Sequence, residues 1–299
     1  MKKTVSLLLA LLFILSLTAC SGQEEKKTDK EQASTKKQET EDRKSEEKPE
    51  VIRVGLVGEN NEVWDDVAIR FEEGEGIKLE LIKFTDYNQP NEALAAGDLD
   101  LNAFQHKIFL ENFNQETGSN LVPIGDTLLA PIGLYSRKIK SIDEVKEGDK
   151  IAIPDDVTNY ARSLFLLQTA GLIEVEGEPG EAITMENITA NPLKLEIIPM
   201  NSNQTARSLE DVTLSAINSG MAVDAGFYPN QDAIFLEPID DHSLPYMNII
   251  AAREEDKENF YYLKLVKDYF QQPESAAVID KASKGSQIPA WEGFDQDGK

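Results

Sequence analysis

The stretch "IKLELIKFTDYNQPNEALAAGDLDLNAFQHKIFLENFNQ", residues 77–115, changes its apolar period repeatedly along its length. From Ile77 to Phe84 apolar and polar residues largely alternate, as in a strand with one buried face. "QPNEALAA" then reads as a short helix. Pro90 sits near its start, where a missing N–H is tolerated, and Gly97 stops it. "DLDLNAF" (98–104) is strand-like again, and "IFLENFNQ" (108–115) is helical. Strand, helix, strand and helix in so short a span predict an α/β fold.

The same alternation continues on both sides. "VIRVGLV" (51–57) reads as a strand, and Trp64, Val67, Ala68 and Phe71 share one face of a helix. "LVPIG" and "LAPIGLYS" (129–136) are extended. A second unit follows: "DKIAIPDD" (149–156) as a strand, "NYARSLFLLQTAGLI" as an apolar helix ending near Gly171, and "LKLEIIPM" (193–200) as a strand. "YMNIIAAR" is extended. Phe260, Leu263, Val266 and Phe270 in "ENFYYLKLVKDYF" form a helical core stripe, because a cofactor box would need polar groups among the rings. Two such units imply two lobes with parallel or mixed sheets, and ligands in such sheets sit beyond the carboxyl ends of the strands.

The two ends of the folded part differ from it in kind. Lys2 and Lys3 precede an apolar run from Val5 to Leu17, and small residues lead to Cys20, the only cysteine of 299 residues. This is a secretory signal, too short to span a membrane comfortably. A lone exported thiol has no disulfide partner, and "LTAC" resembles the lipobox of bacterial lipoproteins, whose cysteine is acylated. Residues 1–19 are therefore expected to be a signal peptide. Cys20 is the expected lipid attachment point, placing the protein on the extracytoplasmic face of a cell membrane. Residues 21–50 contain no aromatic or branched aliphatic residue and cannot bury enough apolar surface to offset their ordering entropy. They read as a tether, reaching about 100 Å when stretched.

The formal net charge of −24 argues against nucleic acid as a partner and against lying flat on an anionic membrane. Only two histidines are present, His106 and His242. No G-x-S-x-G, H-E-x-x-H or glycine-rich phosphate loop occurs, so no cofactor, metal or catalytic residue is expected. Taken alone, His106 is equally a strand-end histidine without a role. Tyr87, Asn159, Arg162 and Asn218 also follow predicted strands, and that coincidence favours a site.

"FTDYNQPNEALAAGDLDLNAFQHKIFLE", "PIGLYSRKIKSIDEV", "IAIPDDVTNYARSLFLLQTAGLI", "QTARSLEDVTLSAIN" and "LPYMNIIAAREED" together make the chain, from about Val51 to Trp291, resemble the NlpA/MetQ family of methionine-binding lipoproteins. The resemblance implies a two-lobed periplasmic-binding-protein fold, type II-like, with the ligand in the cleft. One lobe would comprise 51–136 plus 247–299 and the other 137–246, joined by two hinge crossings. It implies the binding component of an ABC importer, with a membrane permease and an ATPase as partners and L-methionine or a close relative as ligand.

The residues can be read beside that resemblance. The fork of Arg162 suits a carboxylate. Its expected place in a helix's first turn makes an added anion favourable. Asn159, Asn218 and Asn248 can donate or accept at the ends of a zwitterion. Tyr87, Phe104, His106 and Phe109 would wall the thioether slot, His106 as a neutral hydrogen-bonding group. Two departures bear on ligand identity: Met221 in "INSGMA", where many relatives have tyrosine, and "GENNEV" after the first strand, where relatives often have Gly-Pro. D- or L-methionine, the sulfoxide and a methionine-containing dipeptide stay open. A surface hydrolase or an adhesin are the readings from other classes.

Overall fold

The computed structural model of the chain describes residues 47–294. The expected signal peptide, Cys20 and all but the last residues of the tether lie outside the described residues, as do residues 295–299. The described residues belong to one compact unit.

The first run of elements is β1 (Val51–Val57), α1 (Glu62–Glu75), β2 (Lys78–Phe84), α2 (Gln89–Ala96), β3 (Leu101–Asn102), α3 (Lys107–Thr117) and β4 (Leu121–Asp126). β1 pairs in parallel with β2 along its whole length and with β3 beyond it. Ile52, Val54 and Leu56, alternate residues of β1, are fully buried against Trp64, Val67 and Phe71 of α1. The strand expected over 98–104 is only two residues long. Gly97, with φ of 82°, caps α2 in the left-handed region. The chain then folds back so that the N–H groups of Asp98 and Leu99 donate to Ala93 O, which leaves fewer groups for the ladder.

β5 (Leu128–Leu129) is followed by β6 (Gly133–Tyr135), which lies in the second sheet, antiparallel to β11 (Leu214–Ile217) and β12 (Phe235–Leu236). The sequence expectation kept residues up to 136 with the first half, and the strand pairing corrects it. Pro131, with no N–H to donate, stands just before β6, and Leu134 and Tyr135 are fully buried on the second side. The second sheet has the order β10-β7-β11-β6-β12. β7 (Lys150–Pro154) pairs in parallel with β10 (Glu196–Met200) on one side and β11 on the other. α4 (Val157–Thr169) packs its buried face of Ala161, Leu164, Phe165 and Leu167 on this sheet. α5 (Ser202–Thr205), α6 (Ser219–Asp224) and α7 (Pro229–Asp232) are short. The hairpin of β8 (Glu174–Val175) and β9 (Ile188–Ala190) stands apart.

β13 (Ile249–Arg253) returns to the first sheet between β3 and β4, antiparallel to both, completing the order β2-β1-β3-β13-β4. Each sheet thus has a parallel core and one antiparallel strand supplied by a crossing segment. The final helical stretch is α8 (Phe260–Lys264), a π-helical segment (Leu265–Phe270) and α9 (Pro273–Ser283), before β14 (Ile288–Pro289). Its core face is Tyr262, Leu265, Val266 and Phe270. Phe260 and Leu263, expected there, are only half-buried. Among the described residues no helix is long and apolar enough to cross a membrane.

Candidate ligand-binding site

The parallel strands β1, β3, β7 and β11 carry their carboxyl ends to one solvent-connected cavity. All nine residues singled out in the sequence line it. Tyr87, Phe104, His106, Phe109 and Asn248 come from the first-sheet side, and Asn159, Arg162, Asn218 and Met221 from the second.

Three rings form a triangle. Tyr87 and Phe104 stack with centroids 5.9 Å apart, and Phe109 stands edge-on to both at 6.1 and 5.8 Å. A buried amide network holds this loop from behind. Asn91 Nδ2 donates to Gln105 Oε1 at 2.7 Å, while Asn91 Oδ1 accepts from Gln105 Nε2 at 2.6 Å and Asn102 Nδ2 at 2.9 Å. Gln105 Nε2 also reaches Asn102 Oδ1 at 2.9 Å. Asn91 and Asn102 are fully buried, so each must be paired in this way to avoid a desolvation cost. These three amides aim the alternating Phe104 and His106. Asn91, Asn102 and Gln105 all fall within residues 77–115, but no spacing in that segment marks them as a network.

His106 caps the N-terminus of α3: its Nδ1 accepts from the Phe109 N–H at 3.2 Å. The accepting nitrogen carries no proton, so Nε2 holds it. Nε2 is buried, and among the described residues no partner reaches it in hydrogen-bond geometry, although the Asn159 side chain is close enough to oppose the fall of its pKa. Burial first, and the Arg162 charge second, push the imidazole pKa down to about 3. The ring is therefore neutral at physiological pH and presents one unanswered donor. An antiparallel bridge to Asn248 and the edge of Tyr246, 5.3 Å away, fix its backbone and plane.

Opposite stands a relay of side chains from β7, α4 and β11. Asp156, the N-cap of α4, accepts from the Asn159 N–H at 2.9 Å, and both its oxygens accept from Asn159 Nδ2 at 3.0 and 3.1 Å. That orientation turns Asn159 Oδ1 towards Asn218 Nδ2, which donates at 2.7 Å. Asn218 Oδ1 is left buried without a partner among the described residues. Burial raises the Asp156 pKa, and its hydrogen bonds from Asn159 oppose that rise. The cavity thus shows one unpaired acceptor and one unpaired donor, each costing stability until something fills it.

Arg162 departs from expectation in two respects. It is the sixth residue of α4 and so lies beyond the first turn, where the helix dipole is weak. Its charge is also already matched. Nε donates to Glu237 Oε1 at 2.8 Å, Nη2 donates to Glu237 Oε2, and Nη2 reaches Ala130 O at 3.1 Å. Its Cζ lies 4.4 Å from the Tyr246 ring centroid. The reason is burial: with its side chain 5 % exposed, the guanidinium needs a permanent counter-charge. Among the described residues its hydrogen bonds run through Nε and Nη2 and none through Nη1. Glu237 and Tyr246 were missed because they lie far from Arg162 in sequence. Asp156 was within reach of sequence reasoning, since an aspartate three residues before Asn159 is the ordinary capping pattern.

Met221 is buried and packs with Tyr135, Leu209, Ile217 and Ala222, with Tyr87 against them. His242 is exposed and its N–H donates to Asp240. It does not line this cavity. Among the described residues no group of three or more His, Cys, Asp or Glu side chains is arranged to hold a metal ion.

The model of the NlpA lipoprotein family matches residues 52–291. Outer membrane lipoprotein 3 of Mannheimia haemolytica is 42% identical over 82% of this chain and 92% of its own. The D-methionine-binding lipoprotein MetQ of Yersinia pestis is 39% identical over 83% of this chain and 91% of its own. A nutrient-binding protein from Burkholderia cenocepacia, solved bound to methionine, superimposes with a TM-score of 0.76 at 40% identity, covering 80% of this chain and 99% of that one. With the motif-bearing segments of the sequence now seen to build one cavity between two mixed sheets, the chain belongs to the NlpA lipoprotein family.

Proposed function

We propose that this chain is a lipid-anchored, extracytoplasmic binding protein that captures methionine between two lobes and delivers it to the permease and ATPase of an ABC importer. The observation that carries this reading is the pair of buried, unpartnered groups, His106 Nε2 and Asn218 Oδ1, on the cavity that also holds Arg162 and the ring triangle. A free amino acid supplies what they lack. Its ammonium donates to Asn218 Oδ1, and its carboxylate accepts from Arg162 Nη1 and His106 Nε2. The thioether lies against Tyr87, Phe104 and Phe109.

The magnitudes require both ends. Burying a methionine side chain contributes about 1.5–3 kcal/mol, and each sulfur–ring contact about 0.3–1.5 kcal/mol. Micromolar affinity needs about 8 kcal/mol, so the head-group contacts must supply the remainder. The lobes follow the two sheets, with one crossing between Leu129 and Gly133 and the other between Leu236 and Ile249. Cys20 is the anchor and residues 21–50 the tether in this reading, which involves no chemistry on the ligand.

A methionine-containing dipeptide is the second reading, favoured by the cavity's extension past these groups to Asn60, Glu62 and Gln287. Calorimetric titration of residues 21–299 with L-methionine, D-methionine and Gly-Met separates the readings. Heat from free methionine supports the first, heat from Gly-Met alone supports the second, and three flat titrations exclude both.

A further inference from the structure

The loop after β1 and the end of α6 meet beside the cavity. Asp224, the last residue of α6 on the second-sheet side, directs its carboxylate at the loop after β1 on the first. Its oxygens accept from the backbone N–H of Glu59 at 3.2 and 3.1 Å, from the Asn60 N–H at 3.1 Å and from Asn60 Nδ2 at 2.9 Å. Successive backbone N–H groups of this kind form a concave seat for an anion. Gly58 makes the approach possible. Its φ is +87°, and a Cβ there would stand 2.2 Å from Asp224 Oδ2. Gly58, Asn60 and Asp224 all line the cavity.

We propose that Asp224 is a positioning residue for ligand retention: it clasps the Gly58–Asn60 loop and holds the two sides of the cavity together over the bound molecule. Other contacts also join the two sides: Asn203 Nδ2 donates to Thr85 O at 3.4 Å, Gln287 Nε2 to Ser219 Oγ at 3.2 Å and Asn230 Nδ2 to Lys284 O at 3.5 Å, each a single bond between neutral groups, while Lys284 Nζ lies 3.1 Å from the Tyr228 ring centroid. Asp224 gathers several donors on one charge, and charge-assisted bonds are the stronger kind. The clasp touches no ligand atom in this account. It acts by slowing the opening that precedes release, so its loss appears in the dissociation rate and leaves association nearly unchanged.

The ligand arm of the test rests on the methionine reading, and a second arm does not. In residues 21–299, which lack the only natural cysteine, Glu73→Cys and Glu186→Cys place spin labels on exposed positions of the two sides. Asp224→Ala should lengthen or broaden the label-to-label distance in the absence of any ligand. In stopped-flow it should raise the methionine dissociation rate by about 3- to 10-fold with the association rate unchanged. Asp224→Asn, of the same shape but uncharged, should show the same changes at smaller size and serves if the alanine variant folds poorly. Distances and dissociation rates at unsubstituted values in both variants would overturn the proposal, as would a loss confined to association. Failure of the unsubstituted protein to bind methionine would strike the functional reading, while the distance arm would still decide the clasp.

Discussion

Glu237 Oε1 accepts from Arg162 Nε at 2.8 Å, and through this pair a crossing segment of the chain neutralises the guanidinium of the binding cavity before any ligand arrives. Glu237 also accepts the Ile132 N–H at 3.2 Å, so the same carboxylate is tied to both crossings between the sheets. The arginine is thus pre-set, its charge matched by Glu237.

Glu237→Gln removes the counter-charge of a buried cation. Breaking such a pair by deleting one partner costs about 3–5 kcal/mol. The ligand-free protein should lose stability on that scale in urea unfolding. Saturating methionine, whose carboxylate brings back a negative charge, should restore more stability to this variant than to the unsubstituted chain.

Arg162→Ala should weaken methionine binding by about 2–5 kcal/mol, the range for truncating one partner of a buried charged contact. His242→Ala, remote from the cavity and exposed, should leave it within experimental error. Calorimetry on both variants makes the comparison, and equal losses would place the site elsewhere.

The relay predicts a graded effect. Asn159→Ala leaves Asn218 in place but removes the acceptor that orients its amide, so binding should weaken by roughly tenfold, about 1.4 kcal/mol. Asn218→Ala removes the ammonium's acceptor itself and should cost at least as much. A larger loss at Asn159 than at Asn218 would contradict the order of the relay.

The depressed pKa of His106, about 3 against an ordinary 6.5, sets a pH dependence. Between those values the unfolded chain binds a proton that the folded chain refuses. The contribution is therefore fully present above about pH 6.5 and declines as pH falls towards 3. His106→Gln should flatten that decline in ligand-free unfolding experiments. Methionine affinity should not change through His106 between pH 5 and 7, because the ring stays neutral throughout.

The sequence made much of this architecture legible for physical reasons. β1, β2 and α1 have regular apolar periods and fall where the pattern places them. α2 carries its own stop in Gly97. The strand after it could not be sized, because the Gly97 cap folds the chain back on Ala93, and that backbone economy leaves no trace in side-chain pattern. β6 went to the wrong sheet because "GLYS" is equally apolar for either partner, and only its pairing with Ala216 and Phe235 decides. In the cavity, Tyr87, His106, Asn159, Arg162 and Asn218 were accessible because they follow predicted strands, whereas Phe104, Phe109, Met221 and Asn248 came with the family resemblance. The groups that set their state, Glu237, Tyr246 and the Asn91–Asn102–Gln105 network, do their work through contacts that no local spacing encodes.

The most direct test of the central claim is a crystal structure of the chain with L-methionine. The account predicts the ligand ammonium within about 2.6–3.2 Å of Asn218 Oδ1, its carboxylate at the same range from Arg162 Nη1 and His106 Nε2, and its sulfur against Tyr87, Phe104 and Phe109. A bound methionine that leaves His106 Nε2 and Asn218 Oδ1 without partners would contradict it.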